Sequence, residues 1–232
     1  MGDLQVGKVF DLPELRDRTP VFRDRDEVGR VLAGMLAEYK GTDALLLAVP
    51  RGALVIGAIL ARELRLPLDA VVVAKVTPEW NPEFGYGGVA WDGTVVLDET
   101  LAARLGINKQ QMEADVWRAS DKVESRSRSL RGERAFPRVA GRTVILVDDG
   151  LATGSTLRVA IRALTKAGAD RLVVAVGTGH REAVEALAQD VAAVYCPNLR
   201  ETRNFSAVGE AYRNFDQVSE AEAVRIIKDF GE

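Results

Sequence analysis

Short apolar runs alternate with amphipathic stretches along most of the chain. In residues 24–40 Val28, Val31, Leu32, Met35 and Leu36 recur at helical spacing, with Asp24 placed as N-cap, Glu27 three residues later and Gly41 at the end. Residues 44–49 are unbroken apolar, the pattern of a strand covered on both faces. After the turn Pro50-Arg51-Gly52, residues 53–64 read as a helix and 68–76 as a second buried strand. The alternation resumes with a strand over 144–147, a helix over 155–167 closed by Gly168, and a strand over 172–176. A helix over 181–189, a strand over 191–195 and a last helix to Phe230, capped by Ser219 and Glu222, complete it. This order predicts an α/β fold, three layers α/β/α around a mostly parallel sheet.

The middle breaks the rhythm. Residues 78–88 hold two prolines and three glycines and read as a loop. Asp92-Gly93, between the apolar pieces 89–91 and 94–97, is a hairpin signal. Residues 108–132 form a long charged helix with one narrow stripe, Met112, Val116, Ala119 and Val123. Arg126, Arg128, Arg131, Arg134 and Arg138 follow in close order and read as a solvated face, because acidic residues are interleaved with them. One domain over 1–232 is expected, with a hairpin and long-helix insertion at about 77–135 and a C-terminal hood at about 196–232.

Composition narrows the function. The 232 residues are 47% hydrophobic and 28% charged, with 31 Lys plus Arg against 34 Asp plus Glu. A net charge of −3 gives no global pull toward nucleic acid or membrane, so an anionic ligand must be held by local geometry. The single cysteine, Cys196, excludes an intrachain disulfide and a Cys-rich metal site. The most apolar window, 44–61, is cut by Pro50 and Arg51, which disfavours a membrane span. The start of the chain lacks a basic stretch followed by an apolar run, so a cytoplasmic protein is expected. For the same reason Asn204-Phe205-Ser206 is a glycosylation sequon on paper only.

The chemistry concentrates in Asp148-Asp149-Gly150-Leu151-Ala152-Thr153-Gly154-Ser155-Thr156, between a buried strand and a helix. Unpaired amides and the positive dipole end at a helix start suit a phosphate. The hydroxyls of Thr153, Ser155 and Thr156 add donors, and Gly154 lets the backbone approach. Two carboxylates beside an anion site would repel phosphate alone, but they accept hydrogen bonds from vicinal hydroxyls. Phosphate on one side and a diol on the other describe a phosphorylated ribose. The Lys and spacing of an ATP-binding P-loop are missing, and no Gly-x-Gly-x-x-Gly follows a strand.

Here the sequence resembles the type I phosphoribosyltransferases. Their motif for 5-phosphoribosyl-1-diphosphate (PRPP) is an apolar strand, paired acids and Gly-x-Ala-Thr-Gly-x-Thr, and Asp148 to Thr156 reproduces it. The resemblance implies that Ala152, Thr153, Gly154, Ser155 and Thr156 bind the 5-phosphate, while Asp148 and Asp149 bind the ribose hydroxyls and stabilise positive ring charge. It also implies a pyrophosphate loop at Arg51 and Gly52, with a non-proline cis peptide at Arg51–Gly52, and a cation at Lys75. The resemblance is nearest to a little-characterised subgroup marked by Pro-Arg-Gly, Asn-Pro-Glu-Phe near Pro82, Phe-x-Ala-Val-Gly-x-x-Tyr at 205–212 and Gln-Val-Ser at 217–219.

The implied reaction transfers phosphoribosyl to an unidentified base or small nucleophile and releases pyrophosphate. Asp148, Asp149 and Lys75 would be catalytic, and Mg²⁺ would be held mainly by the ligand rather than by a protein cage. Residues 77–88 would form a lid. Phe205 and Tyr212, with Trp80 and Phe84, are candidate stacking surfaces for the acceptor. His180 reads as supporting the start of its helix or touching a ligand. The alternatives are a non-catalytic PRPP-binding regulator and a nucleotide- or RNA-binding protein. The expected partners are PRPP and an acceptor, with no membrane, nucleic acid disfavoured, and a homo-oligomer as an open option.

Overall fold

A computed structural model describes residues 7–82, 84–201 and 205–230. Glu83 of the Asn-Pro-Glu-Phe motif, Asn204 of the sequon and the first six residues lie outside these. The first part of the chain forms β1 (Lys8–Phe10), α1 (Arg25–Met35), β2 (Leu45–Ala48), α2 (Ala53–Leu64) and β3 (Leu68–Ala70). The middle forms β4 (Val73–Val76), β5 (Gly87–Ala90), β6 (Val95–Leu97), α3 (Glu99–Arg104) and α4 (Lys109–Arg131). The last part forms β7 (Thr143–Leu151), α5 (Ser155–Lys166), β8 (Arg171–His180), α6 (Arg181–Leu187), β9 (Ala193–Tyr195), β10 (Asn198–Arg200) and α7 (Glu220–Phe230).

The main sheet runs β1-β9-β8-β7-β2-β3, and every pairing in it is parallel. β9 and β10 follow one another along the same side of β8. Its strands are apolar on both faces because both are covered. On β7, Ile145 and Val147 enter the core formed with α1 and α2, whereas Val144 and Leu146 enter the core formed with α5 and α6. This is the expected three-layer arrangement.

The expected strand over 68–76 is in fact two. Val71 N–H still bonds the Ala48 carbonyl (2.9 Å), but from Val73 the chain pairs antiparallel with β5 in a separate sheet, β4-β5-β6. Val71 and Val72 before the corner and Val73 and Val76 after it are all buried, so the apolar run continues across the corner and hides it. The small sheet lies between α4 and α5. Tyr86, just before β5, donates to Asp115 of α4 at 2.7 Å.

Local signals set most element ends. Asn108 and Gln111 form a capping box for α4. Asp24 caps α1 by accepting the Glu27 N–H at 2.9 Å, while the Glu27 carboxylate takes the Arg23 N–H. That helix stops at Met35, and Ala37–Tyr39 continues as a 3-10 turn. The arginine run is not uniformly solvated: Arg131 is buried against Asp69 of β3, whereas Arg128 pairs with Glu124 on the surface. Among the described residues no helix is long and apolar enough to cross a membrane.

Candidate active site

From β2 the chain crosses to β3 through α2 on one face, and from β7 it crosses to β8 through α5 on the other. The space beyond the carboxyl ends of β2 and β7 is therefore the topological switch point, where open parallel sheets bind ligands. Both turns singled out in the sequence, residues 50–52 and 148–156, open there.

β7 is longer than its apolar run. It carries Asp148 and Asp149 in strand geometry as far as Leu151, with Asp148, Gly150 and Leu151 paired to β8. The chain then turns through Gly154, whose φ of 73° is left-handed and favours glycine, into α5. A cavity of about 150 Å³ lies against this turn. Asp148, Gly150 and residues 151–157 line it, with Lys75 and Val208 facing them. The Thr153 hydroxyl donates to Ser155 Oγ at 3.2 Å and also lies 3.4 Å from the Ser155 N–H. Hydroxyls, first-turn amides and the positive helix end thus converge on a space of phosphate size.

The two acids have different surroundings. Asp149 Oδ2 accepts from Arg25 Nε (3.2 Å) and Nη2 (3.0 Å). Asp148 Oδ1 accepts the Asp149 N–H at 2.8 Å and faces the cavity. Burial first, and the neighbouring Asp149 charge second, hold the Asp148 carboxyl well above the usual carboxylate range. These carboxylates are the hard oxygen donors at the cleft. Among the described residues no three acidic, histidine or cysteine side chains are grouped to hold a metal ion.

Lys75 projects from β4, the small sheet, rather than from a main-sheet strand, and still reaches the cavity rim. Arg51 is exposed on its turn. The cis peptide is Pro50–Arg51, one bond earlier than expected. Gly52 has helical φ and ψ (−57°, −42°), so its identity answers to space: a Cβ would stand 2.3 Å from Asp149 Oδ2. Of the expected lid, Gly87 and Gly88 belong to β5, and a Cβ on Gly88 would meet Val159 of α5 at 2.8 Å.

The stacking candidates are not gathered at the cavity. Tyr212 is buried between Phe22 (5.9 Å) and Phe215 (4.8 Å), and its hydroxyl donates to the Asp149 carbonyl. Phe205 packs on Arg200 and meets His180 edge-on at 5.8 Å. Trp80 and Phe84 are exposed. His180 is the N-cap residue of α6 without a side-chain capping bond. Cys196 is buried with its thiol on the Asn198 carbonyl, and burial pushes that thiol up.

Two participants escaped the sequence reading. Val208, from the hood, reaches the cavity beside Gly150. Arg25 carried one signal: a cation in the first turn of a helix opposes the dipole and needs a partner elsewhere.

The parallel sheet, the switch-point cleft and the acid–hydroxyl turn define a phosphoribosyltransferase-type protein. The family model for the phosphoribosyl transferase domain matches residues 88–209, and the chain belongs to this family. A Mycobacterium tuberculosis H37Rv protein, provisionally named a phosphoribosyl transferase, is 33% identical over 216 residues, which is 91% of this chain and 48% of that protein. The chain thus spans about half the length of these curated relatives. The bifunctional protein PyrR of Haemophilus influenzae is 39% identical over 95 residues, covering 38% of this chain and 53% of that protein. A solved structure from Thermus thermophilus is similar over 91% of this chain and all of that one, with 33% identity and a TM-score of 0.75.

Proposed function

We propose that the cleft binds PRPP together with Mg²⁺ and that the chain transfers the phosphoribosyl group to a base or other small nucleophile, releasing pyrophosphate. The observation that carries this reading is one cavity lined jointly by Asp148, by the 151–157 turn and by Lys75. The 5-phosphate goes to the amides and hydroxyls of Ala152, Thr153, Gly154, Ser155 and Thr156. Asp148 and Asp149 take the ribose hydroxyls. Arg51, Gly52 and Lys75 face the pyrophosphate, where negative charge accumulates as the anomeric bond breaks, so their contribution is electrostatic. Bound Mg²⁺, held mainly by the ligand, would supply charge neutralisation on the leaving group.

Thermal melting of the full chain tests this. PRPP with Mg²⁺ is expected to raise the midpoint through mass action, and ATP or NAD at equal concentration to raise it less. Asp149→Asn combined with Arg51→Ala should abolish the PRPP shift in a chain that still folds. Equal shifts from all three ligands, or a retained shift in the double variant, would sink the assignment. A screen of bases and amines for pyrophosphate release from PRPP then identifies the acceptor. Tight PRPP binding with no release from any acceptor would turn the reading to a regulator.

A further inference from the structure

Arg25 joins four parts of the fold. It is 9% exposed and lies in the first turn of α1. Nε and Nη2 both reach Asp149 Oδ2 on β7, and Nη1 donates to the Asp216 carbonyl in the hood at 2.8 Å. The guanidinium lies over the Phe215 ring, 4.0 Å from its centre. On another side is Gly52, where a Cβ would stand 2.8 Å from Arg25 Nε and 2.9 Å from Nη2.

We propose that Arg25 is a positioning residue of the acid pair: it clamps Asp149 by one oxygen and leaves Asp149 Oδ1 and the Asp148 carboxylate for the ligand. This rests on reading the cleft as the PRPP site. A bidentate fork would engage both carboxylate oxygens. Here both N–H groups converge on Oδ2, which leaves Oδ1 outside the clamp. Asp148, one residue earlier, lines the cavity and, among the described residues, has no arginine of its own. The helical geometry of Gly52 would admit any residue, so its lack of a side chain is explained by the room the clamp needs. The ionisable groups around Asp148 are Asp149 on β7, Arg25 on α1, Lys75 on β4 and Tyr212 in the hood. Arg25 is the cation that favours the ionised form of Asp148, so its loss should make Asp148 harder to ionise.

The test uses the full chain with Arg25→Gln and Arg25→Lys, each checked for folding by circular dichroism. Calorimetry measures PRPP–Mg²⁺ affinity from pH 5 to 9, and melting of the unliganded chain covers the same range. Arg25→Gln should weaken PRPP about tenfold and move the acidic limb of the affinity profile upward by about one pH unit. Arg25→Lys keeps the charge, so it should lose about threefold with the limb unmoved. A purely structural tie would lower the melting midpoint and leave affinity and limb unchanged, which overturns the proposal. If Arg25→Gln does not fold, full wild-type affinity in Arg25→Lys overturns it equally. If the wild type binds no PRPP, the functional reading fails by itself. The unliganded melting profile still decides the clamp, since Arg25→Gln must shift its pH dependence upward and an unshifted profile overturns it.

Discussion

Two arginine–aspartate pairs at different edges of the fold use the same kinds of partner, an aspartate, a backbone carbonyl and an aromatic ring, and differ in their surroundings. Arg131, the last residue of α4, donates from Nε to Asp69 on β3 at 2.9 Å and from Nη2 to the Ala70 carbonyl, with its guanidinium over Phe136 at 4.8 Å. Asp69 also accepts the Ala70 N–H at 2.6 Å. The side chains of this pair are 5% and 11% exposed, and those of Arg25 and Asp149 are 10% and 20%. The difference lies beyond the carboxylate. Behind Asp69 is packed protein joining α4 to the end of the sheet. Beside Asp149 is a second acid facing a cavity. A pair whose partners are all internal can only hold, while one next to an open acid can set what that acid offers a ligand.

The largest effect is expected for Arg131→Met. Removing one partner leaves a buried unpaired carboxylate, which costs about 3–5 kcal/mol. For a chain of this size that lowers the melting midpoint by about 6–20 °C. Urea denaturation reads the loss directly. The PRPP-induced shift of the molecules that remain folded should be unchanged, because nothing in the cleft touches this pair. Asp69→Asn added to Arg131→Met should restore part of the stability. A loss under about 1 kcal/mol would mean that water reaches the pair as freely as at the surface.

Asp148→Asn gives a smaller effect with a diagnostic sign. The Asp148 carboxyl stands well above its ordinary 3.8, through burial and then the Asp149 charge. Between that ordinary value and the raised one, the folded chain keeps a proton that the unfolded chain has released. Its contribution to stability therefore falls as pH rises through the window, and the wild type carries the penalty above it. Asp148→Asn removes the slope, so the variant should melt higher than wild type near pH 8 by about 2–5 °C and converge with it near pH 4. It should also lose most of the PRPP shift, having lost an acceptor for the ribose. Parallel melting curves across the pH range would show that Asp148 is not the strained member.

The uneven legibility of these features has a physical basis. The β7–α5 turn could be read because its acids, glycine and hydroxyls are contiguous, and an apolar strand before it with an amphipathic helix after it fix their relative placement. The α1 cap and the parallel frame were readable for the same local reason. The Arg25–Asp149 pair joins residues 124 apart, and no periodicity records that. Arg131 looked like one more exposed charge because its partner sits on a strand named only as apolar. β1 and β10 are three residues each, too short for a pattern, and exist because β9 and β8 offer an edge. Tyr212 reads from the sequence as a stacking surface for the acceptor, whereas its ring is buried and does not line the cavity. Its packing between two other rings depends on the hood running beside residues 22–23, where Arg213 N–H meets the Phe22 carbonyl at 2.8 Å.

That strap supplies the finest test, Tyr212→Phe. Burial, then the Asp149 charge, keep the phenol well above its usual range, so the hydroxyl remains a donor to the Asp149 carbonyl. Removing it deletes one buried hydrogen bond and keeps the ring, at a cost of about 0.5–1.5 kcal/mol. The melting midpoint should drop by about 1–6 °C. The bond reaches the Asp149 backbone and not its carboxylate, so the clamp by Arg25 should survive and the pH dependence of PRPP affinity should not move. A shifted profile in Tyr212→Phe would mean that the hood, and not α1 alone, sets the acid pair. The contrast between a holding pair and a positioning pair would then have to include the hydroxyl as a third member of the second.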